Sequence, residues 1–291
     1  MDDNNSKSNC KTIDNSINLF SKHLHWLNWD EMVESVKNIG FNGIDLTVRP
    51  GGHVLPERVE DDLPKVHEIC ERVGIKIEMI CTDIQNAADP NTKKILKTAS
   101  QLGINNYRMG WYYYDKTIDL FENLKIINKK MRELAGINEQ YKIKGNYQNH
   151  DGIWFGAPIW DLGNILREIN SDWLGCQYDI LNATIESSNS WPIGMELVAP
   201  YIHTIDIKDA IWTMQEETQK VRYVPFGLGI VNFKRFRELL NQFQINVPFS
   251  LHMEYNLGGV ELGLSQIQFP KQDVLSAIEQ DFVTFKNLLN T

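Results

Sequence analysis

"YIHTIDIKDAIW", residues 201–212, alternates apolar and polar side chains and then stops at two charges, Lys208 and Asp209. Side chains two apart on a strand share a face, so Asp206 and Lys208 point one way and His203 and Asp209 the other. This strand precedes "NFKRFRELLNQF" (232–243), a helix pattern, and the same strand-then-helix unit recurs on both sides. Upstream, "INLF" (17–20) precedes "DEMVESVKNIG" (30–40), with Asp30 as the expected N-cap and Gly40 as the stop. "GIDLTV" (43–48) precedes "RVEDDLPKVHEICERVG" (58–74), and "IKIEMICT" (75–82) precedes "NTKKILKTASQLG" (91–103). "NNYRMGWYYY" (105–114) precedes "TIDLFENLKIINKKMRELAG" (117–136). "YKIKGNYQNH" (141–150) precedes "PIWDLGNILREI" (158–169), and "LGCQYDIL" (174–181) precedes "WPIGMELVAP" (191–200). Downstream, "PFSLHMEY" (248–255) precedes "QDVLSAIEQDFVTFKNLL" (272–289).

Eight short apolar strands, each followed by a helix, are what a (β/α)8 TIM barrel requires. A doubly wound sheet is the alternative, but it carries a glycine-rich phosphate loop after its first strand. "LFSKHLHWL" (19–27) contains no glycine. No Pro- or Ser-rich linker interrupts the series, so residues 17–291 read as one α/β domain behind a flexible polar leader, residues 1–16.

Composition narrows the function. Of 291 residues, 42% are hydrophobic and 23% charged, which is ordinary globular material with ample core. A net charge of −9 argues against nucleic acid, whose binders need a basic surface. The chain has no run of 18 apolar residues, so no membrane span is expected. Cys10, Cys70, Cys81 and Cys176 are far apart; the last three, in apolar contexts, read as buried free thiols that suit a reducing compartment. The leader "MDDNNSKSNCKTIDNS" is neither a signal peptide nor a transit peptide, and the expected compartment is the cytoplasm.

In such barrels the reacting groups come from the C-terminal strand ends. Strand parity nominates Asp45, Thr47 and Arg49 on the second strand, with His53 in the loop that follows. The fourth strand offers Arg108 and then Trp111–Tyr114; the fifth, Asn146, Gln148 and His150; the sixth, Gln177 and Asp179. The seventh offers Asp206 and Lys208, with His203 turned toward the helix layer, and the eighth His252 and Glu254. Singly, each has a bland reading: an Asp after a strand is often a helix cap, and an interior His is often merely hydrogen-bonded. Convergence shifts the balance. Asp179, Asp206 and Glu254 stand on three consecutive strands, with Gln148 and His150 on the strand before. Oxygen donors with imidazole at one rim suit Mg²⁺, Mn²⁺ or Zn²⁺.

The order and spacing of these residues resemble the xylose isomerase-like TIM barrels, a superfamily of sugar-phosphate isomerases and epimerases, inosose isomerases and dehydratases, and endonuclease IV-type enzymes. The resemblance runs from "FSKHLHWL" to the last helix. "GFNGIDLTVRPGGHVLPERVEDDLP", "GCQYDILNAT" and "HMEYNLGG" resemble one bacterial branch of the superfamily, described only as sugar-phosphate isomerases or epimerases. By motif, the family's four metal ligands, Glu, Asp, His and Glu, fall on Gln148, Asp179, Asp206 and Glu254. Two depart from the pattern: "ENH" is "QNH" here, and "HxKD" is "DIKD". "GEG" after the seventh strand is "GLG", with Leu228 in place of the acid. An Asp–Asp–Glu–Gln set favours Mn²⁺ or Mg²⁺ over Zn²⁺. Chemistry that uses two bases loses one, because an amide takes up no proton at neutral pH.

The resemblance implies a metal-dependent sugar or sugar-phosphate isomerase or epimerase that abstracts a proton next to a carbonyl, with a small sugar or polyol as partner. Glu254 is the expected base, Lys208 and Arg108 the groups that stabilise an enediolate or bind an anionic group, and His150 and His53 the partners of substrate hydroxyls or proton relays. Arg49, Trp111 and His252 complete the expected substrate contacts. A keto-polyol dehydratase needs one base and one acid, so it tolerates Gln148 better; a non-catalytic sugar-binding barrel is the reading from another class. DNA repair is not supported, since neither a histidine-rich three-zinc cluster nor a basic groove is evident. Homo-oligomerisation is left open.

Overall fold

The strands Ile17–Phe20 (β1), Gly43–Thr47 (β2), Lys76–Cys81 (β3), Asn106–Arg108 (β4), Lys144–Gln148 (β5), Leu174–Asp179 (β6) and Ile202–Ile207 (β7) are short and largely buried. The next two, Asp209–Gln215 (β8) and Thr218–Val224 (β9), form an antiparallel hairpin, and Phe249–Leu251 (β10) returns to the main sheet. In this computed structural model, which describes residues 15–290, the parallel strands close into a barrel in the order β1-β10-β7-β6-β5-β4-β3-β2. Burial on both faces explains why these strands read as apolar runs. Nearly all of the expected leader lies outside the described residues, as does Cys10.

The helices are Trp29–Ile39 (α1), Val59–Val73 (α2), Pro90–Gln101 (α3), Leu120–Tyr141 (α4), Ile159–Ile169 (α5), Ile180–Ser187 (α6), Trp191–Val198 (α7), Phe233–Gln242 (α8) and Lys271–Asn290 (α9). They pack around the barrel, with α9 beside α1 closing the ring. Asn28 caps α1, not Asp30: its side chain accepts from the Glu31 amide while Glu31 reaches back to the Asn28 amide, a reciprocal pair that a residue inside the helix cannot make. Gly40 ends the helix at φ 103°, where a side chain would be strained. Cys70, Cys81 and Cys176 are buried free thiols, as their contexts imply.

Three local departures from the sequence reading bear on the site. The segment after Lys208, to which the sequence reading assigned no element, forms the β8–β9 hairpin. Its turn is Glu216–Glu217, at φ 48° and 61°, so the glycine or asparagine that usually marks such a turn is missing. Leu181 and Ile180 belong to α6, which starts directly at the end of β6. His203 does not face the helix layer. A register shift pairs Cys176 with Ile202 but Gln177 with Thr204, so His203 is an extra residue. Its Nδ1 lies 2.8 Å from Asn146 Oδ1 inside the barrel, in space that a side chain on Gly175 would fill. Because the shift precedes Asp206, that residue still points inward.

Candidate active site

Asp179, the last residue of β6, does two things at once. Its Oδ1 accepts from the Asn182 amide 3.0 Å away and so caps α6. Its Oδ2 lies 2.9 Å from Lys208 Nζ and accepts from Gln148 Nε2 at 3.0 Å. Asn149 holds the same turn from below, accepting from the Asp179 amide and donating to its carbonyl. Burial alone would push the Lys208 ammonium toward neutrality, but the Asp179 carboxylate more than offsets it, and its pKa is raised. The Gln148 amide nitrogen also donates to Asp206 Oδ2, while its oxygen accepts from Arg108 Nη1 at 3.1 Å. Gln177 Nε2 donates to Asp206 Oδ1 at 2.7 Å.

After β10, the neighbour of β7, Glu254 Oε2 lies 2.6 Å from Lys22 Nζ, and its Oε1 is 3.7 Å from His252 Nδ1. Burial would raise the Glu254 pKa; His252 and Lys22 outweigh it and hold the carboxylate well below its usual range. His252 stacks on Phe20 at 4.3 Å and reaches Asp206 Oδ1 at 3.4 Å. Below it, Asp45 Oδ2 accepts from Ser250 Oγ at 2.8 Å, and Ser250 Oγ is 3.1 Å from His252 Nε2.

A cavity of about 170 Å³ opens above these groups, lined by Phe20, Lys22, Arg49, Arg108, Trp111, Gln148, His150, Lys208, Tyr223, His252 and Glu254. A larger groove of about 430 Å³, bordered by Lys125, Arg132, Asp161 and Glu168 on α4 and α5, lies away from the strand ends. The strand-end cavity is the one that gathers the residues nominated by strand parity. Eight of the expected residues line it: Arg49, Arg108, Trp111, Gln148, His150, Lys208, His252 and Glu254. Asp179 and Asp206 lie fully buried beneath.

His53 does not reach the cavity. Its Nδ1 lies 3.2 Å from both Thr47 Oγ1 and Ser21 Oγ, and its Nε2 lies 3.2 Å from the Leu24 carbonyl. With both nitrogens held inside the protein, and its pKa pushed down to about 3 by burial and by His25, it is a neutral brace of the loop after β2. Asp209 likewise holds a loop, accepting from the amides of Ala210, Gly227, Gly229 and Val231. The two glycines of "GLG" therefore serve through their backbones, while Leu228 is exposed. The aromatic run divides: Trp111 lies under the Arg108 guanidinium at 4.2 Å, Tyr112 stacks on Tyr147, and Tyr113 is exposed.

Three lining residues were not nominated from the sequence. Phe20 and Lys22 share parity at the end of β1, so the rule applied to the other strands would have found them. Tyr223 comes from β9 and reaches over Lys208 at 6.0 Å; only the unforeseen hairpin delivers it.

The donors decide where a divalent cation fits. Within the expected quartet, Gln148 presents its amide nitrogen to the two aspartates, Lys208 stands against Asp179, and Lys22 stands against Glu254. All four are thus engaged by the protein's own donors, Asp206 through Gln148 and Gln177. Asp45, Asp206 and His252 instead bring ligand atoms within 4.8 Å of one another, all buried. Asp45 Oδ1 has no hydrogen-bond partner there, as an atom awaiting a ligand would have none. This cluster shares only Asp206 with the expected set.

Solved structures of the same shape include D-psicose 3-epimerase from Clostridium cellulolyticum H10 with D-tagatose (TM-score 0.70, 11% identity, 94% of this chain and 99% of that one). They include 3-keto-D-glucoside 4-epimerase from E. coli (TM-score 0.69, 13% identity, 92% of this chain and 99% of that one). The probable 3-DHS dehydratase from Bacillus anthracis is also similar (TM-score 0.66, 14% identity, 92% of this chain and 98% of that one). At these identities the likeness shows the fold alone. No curated protein matches the sequence. The xylose isomerase-like TIM barrel family matches residues 33–269, most of the closed barrel, and the chain belongs to that family.

Proposed function

We propose that this protein is an enzyme acting on a sugar or polyol by isomerisation or epimerisation, with Glu254 taking the proton next to the carbonyl. The observation that carries this reading is the solitary carboxylate of Glu254 in a cavity wall otherwise rich in cations: Lys22, Arg49, Arg108 and Lys208. Proton abstraction next to a carbonyl leaves an enediolate, and ammonium and guanidinium groups fixed at the same cavity are suited to its negative charge. Lys22 and Lys208 can each give a further hydrogen bond to a substrate oxygen, since an ammonium carries three donors. His252, buried against Phe20, stands 3.7 Å from Glu254 and helps to fix its carboxylate. Mn²⁺ or Mg²⁺ bound by Asp45, Asp206 and His252 would supply Lewis-acid polarisation of a substrate oxygen.

Dehydration of a keto-polyol is the second reading, and Gln148 favours it. Where an epimerase needs a second base, the cavity presents an amide with both its nitrogen and its oxygen engaged. One base and one acid suffice for loss of water.

Glu254→Gln tests the assignment. A general base contributes about a hundredfold to ten-thousandfold, so turnover of a ketose or inosose found by screening should fall by that factor while binding persists. Gln148→Glu then separates the two reactions: it should create or raise epimerisation if a lost base is the limit, and leave dehydration unchanged or impaired. Full activity in Glu254→Gln would show that the base is misassigned. Binding without turnover in all three proteins would make this a sugar-binding barrel.

A further inference from the structure

We propose that the cavity holds an anionic group of its substrate, a carboxylate or a phosphate, against Arg49 and Arg108. Of the four cations in the wall, Lys22 and Lys208 are already paired with Glu254 and Asp179. Arg49 is not, and Arg108 meets only the exposed carboxylate of Asp83, at the long distance of 3.9 Å. Arg108 is 3% exposed, and its Nη1 bonds the Gln148 oxygen. Its Nε and Nη2 have no hydrogen-bond partner, Asp83 being 3.9 Å from Nη2. The Arg49 guanidinium makes no hydrogen bond or ion pair among the described residues, and lies 5.7 Å from the Phe20 ring.

Buried donors left unmade cost about 1–3 kcal/mol each, more when charged. Both arginines line the cavity, so a ligand entering it meets guanidinium groups whose donors the protein has not used up. Guanidinium presents paired N–H groups in a plane, which match two oxygens of a carboxylate or phosphate better than a lone hydroxyl. Aromatic faces under both guanidiniums, Trp111 for Arg108 and Phe20 for Arg49, hold them without consuming their donors.

Placement gives the anion a purpose. Arg49 follows β2 and Arg108 ends β4, flanking β3, where the Cys81 thiol feels both charges. Glu254 follows β10, which is two strands from β2 and four from β4 around the eight-stranded ring, so that it lies opposite Arg108. A substrate anchored by its anion at the arginines would extend its carbon chain across the cavity toward Glu254. The position of the reacting carbon rests on the proton-transfer reading; the anion site itself does not.

Calorimetric titration of matched probes tests the site: D-glucose against D-glucuronate and D-glucose 6-phosphate, and D-fructose against D-fructose 6-phosphate. At least one charged member should bind about tenfold or more tighter than its uncharged partner, the range expected for hydrogen bonds to charged groups, and should weaken with added salt. Arg49→Gln, at a half-buried position that folding tolerates better than Arg108, should bring the ratio of charged to uncharged affinity close to one, whatever it does to the uncharged sugar alone. Preference for the glucuronate assigns a carboxylate; preference for the sugar phosphates assigns a phosphate. Equal affinity within every pair, no binding of any charged probe, or an advantage untouched by Arg49→Gln overturns the proposal. If a charged probe binds through Arg49 but its carbon-bound hydrogen never exchanges with solvent deuterium, the proton-transfer reading fails while the anion site stands.

Discussion

Lys22 Nζ stands 2.6 Å from Glu254 Oε2, and the two side chains come from opposite ends of the chain, 232 residues apart. The pair closes the seam between β1 and β10 at the point where the cavity opens. Lys22→Met would strand the Glu254 charge in a site only partly open to water. Stability should fall by about 1–3 kcal/mol, and the double variant Lys22→Met/Glu254→Gln should recover part of it. A double-mutant cycle on denaturant melts checks the coupling. Strictly additive losses would mean that the contact contributes nothing.

Lys208 and Asp179 form the more deeply buried pair. Removing one partner of such a pair typically costs about 3–5 kcal/mol, because the other charge is left without compensation. Lys208→Met should therefore destabilise more than Lys22→Met. At Asp179, Asn keeps the acceptor that caps α6 and Ala does not, so Asp179→Ala should lose about 1 kcal/mol beyond Asp179→Asn. Equal melting of those two variants would remove the cap from the account.

A divalent cation should act through the deeper cluster. Mn²⁺ should raise the melting temperature of the wild type by mass action, about 2.7 kcal/mol at a hundredfold excess over Kd. Asp45→Asn should abolish the rise, whereas Gln148→Ala should retain most of it. Loss of the rise in Gln148→Ala with retention in Asp45→Asn would return the ion to the quartet expected from the family motif.

Asp281 carries a pH signature away from the cavity. Burial pushes its pKa from an ordinary 3.8 up to about 6, against the pull of the Tyr255 hydroxyl, which donates to it at 2.8 Å. Because the folded value lies above the unfolded one, the folded state binds more protons across that window. Its contribution is thus fully present below pH 3.8 and is lost as pH rises through about 6. At about 1.4 kcal/mol per pKa unit, wild type should gain roughly 2–3 kcal/mol relative to Asp281→Asn between pH 7 and pH 4. Parallel stability–pH curves for the two proteins would contradict this.

The barrel was legible because its signal is local and repeated. Parallel strands covered on both faces must be apolar, the helices around them must be amphipathic, and glycines such as Gly40 mark the ends. Strand parity also placed Gln148, Asp179, Asp206, Lys208, His252 and Glu254 correctly at the strand ends, since alternation along a strand is geometric. What the alternation could not show is who pairs with whom. His203 entered the barrel through a register shift, and a shift is set by the neighbouring strand and by the absence of a side chain at Gly175. Tyr223 depends on a hairpin whose Glu216–Glu217 turn lacks the usual turn residues. Most of all, the charges of this site acquire meaning only in three dimensions. Lys22 and Lys208 are ordinary lysines in the sequence, but the closed barrel places each against a buried carboxylate, where low polarizability and exclusion of water make a short contact decisive. The residue types and strand placement of the site belong to the sequence. How each carboxylate is engaged was decided by the fold, because only closure of the barrel brings the competing donors within reach.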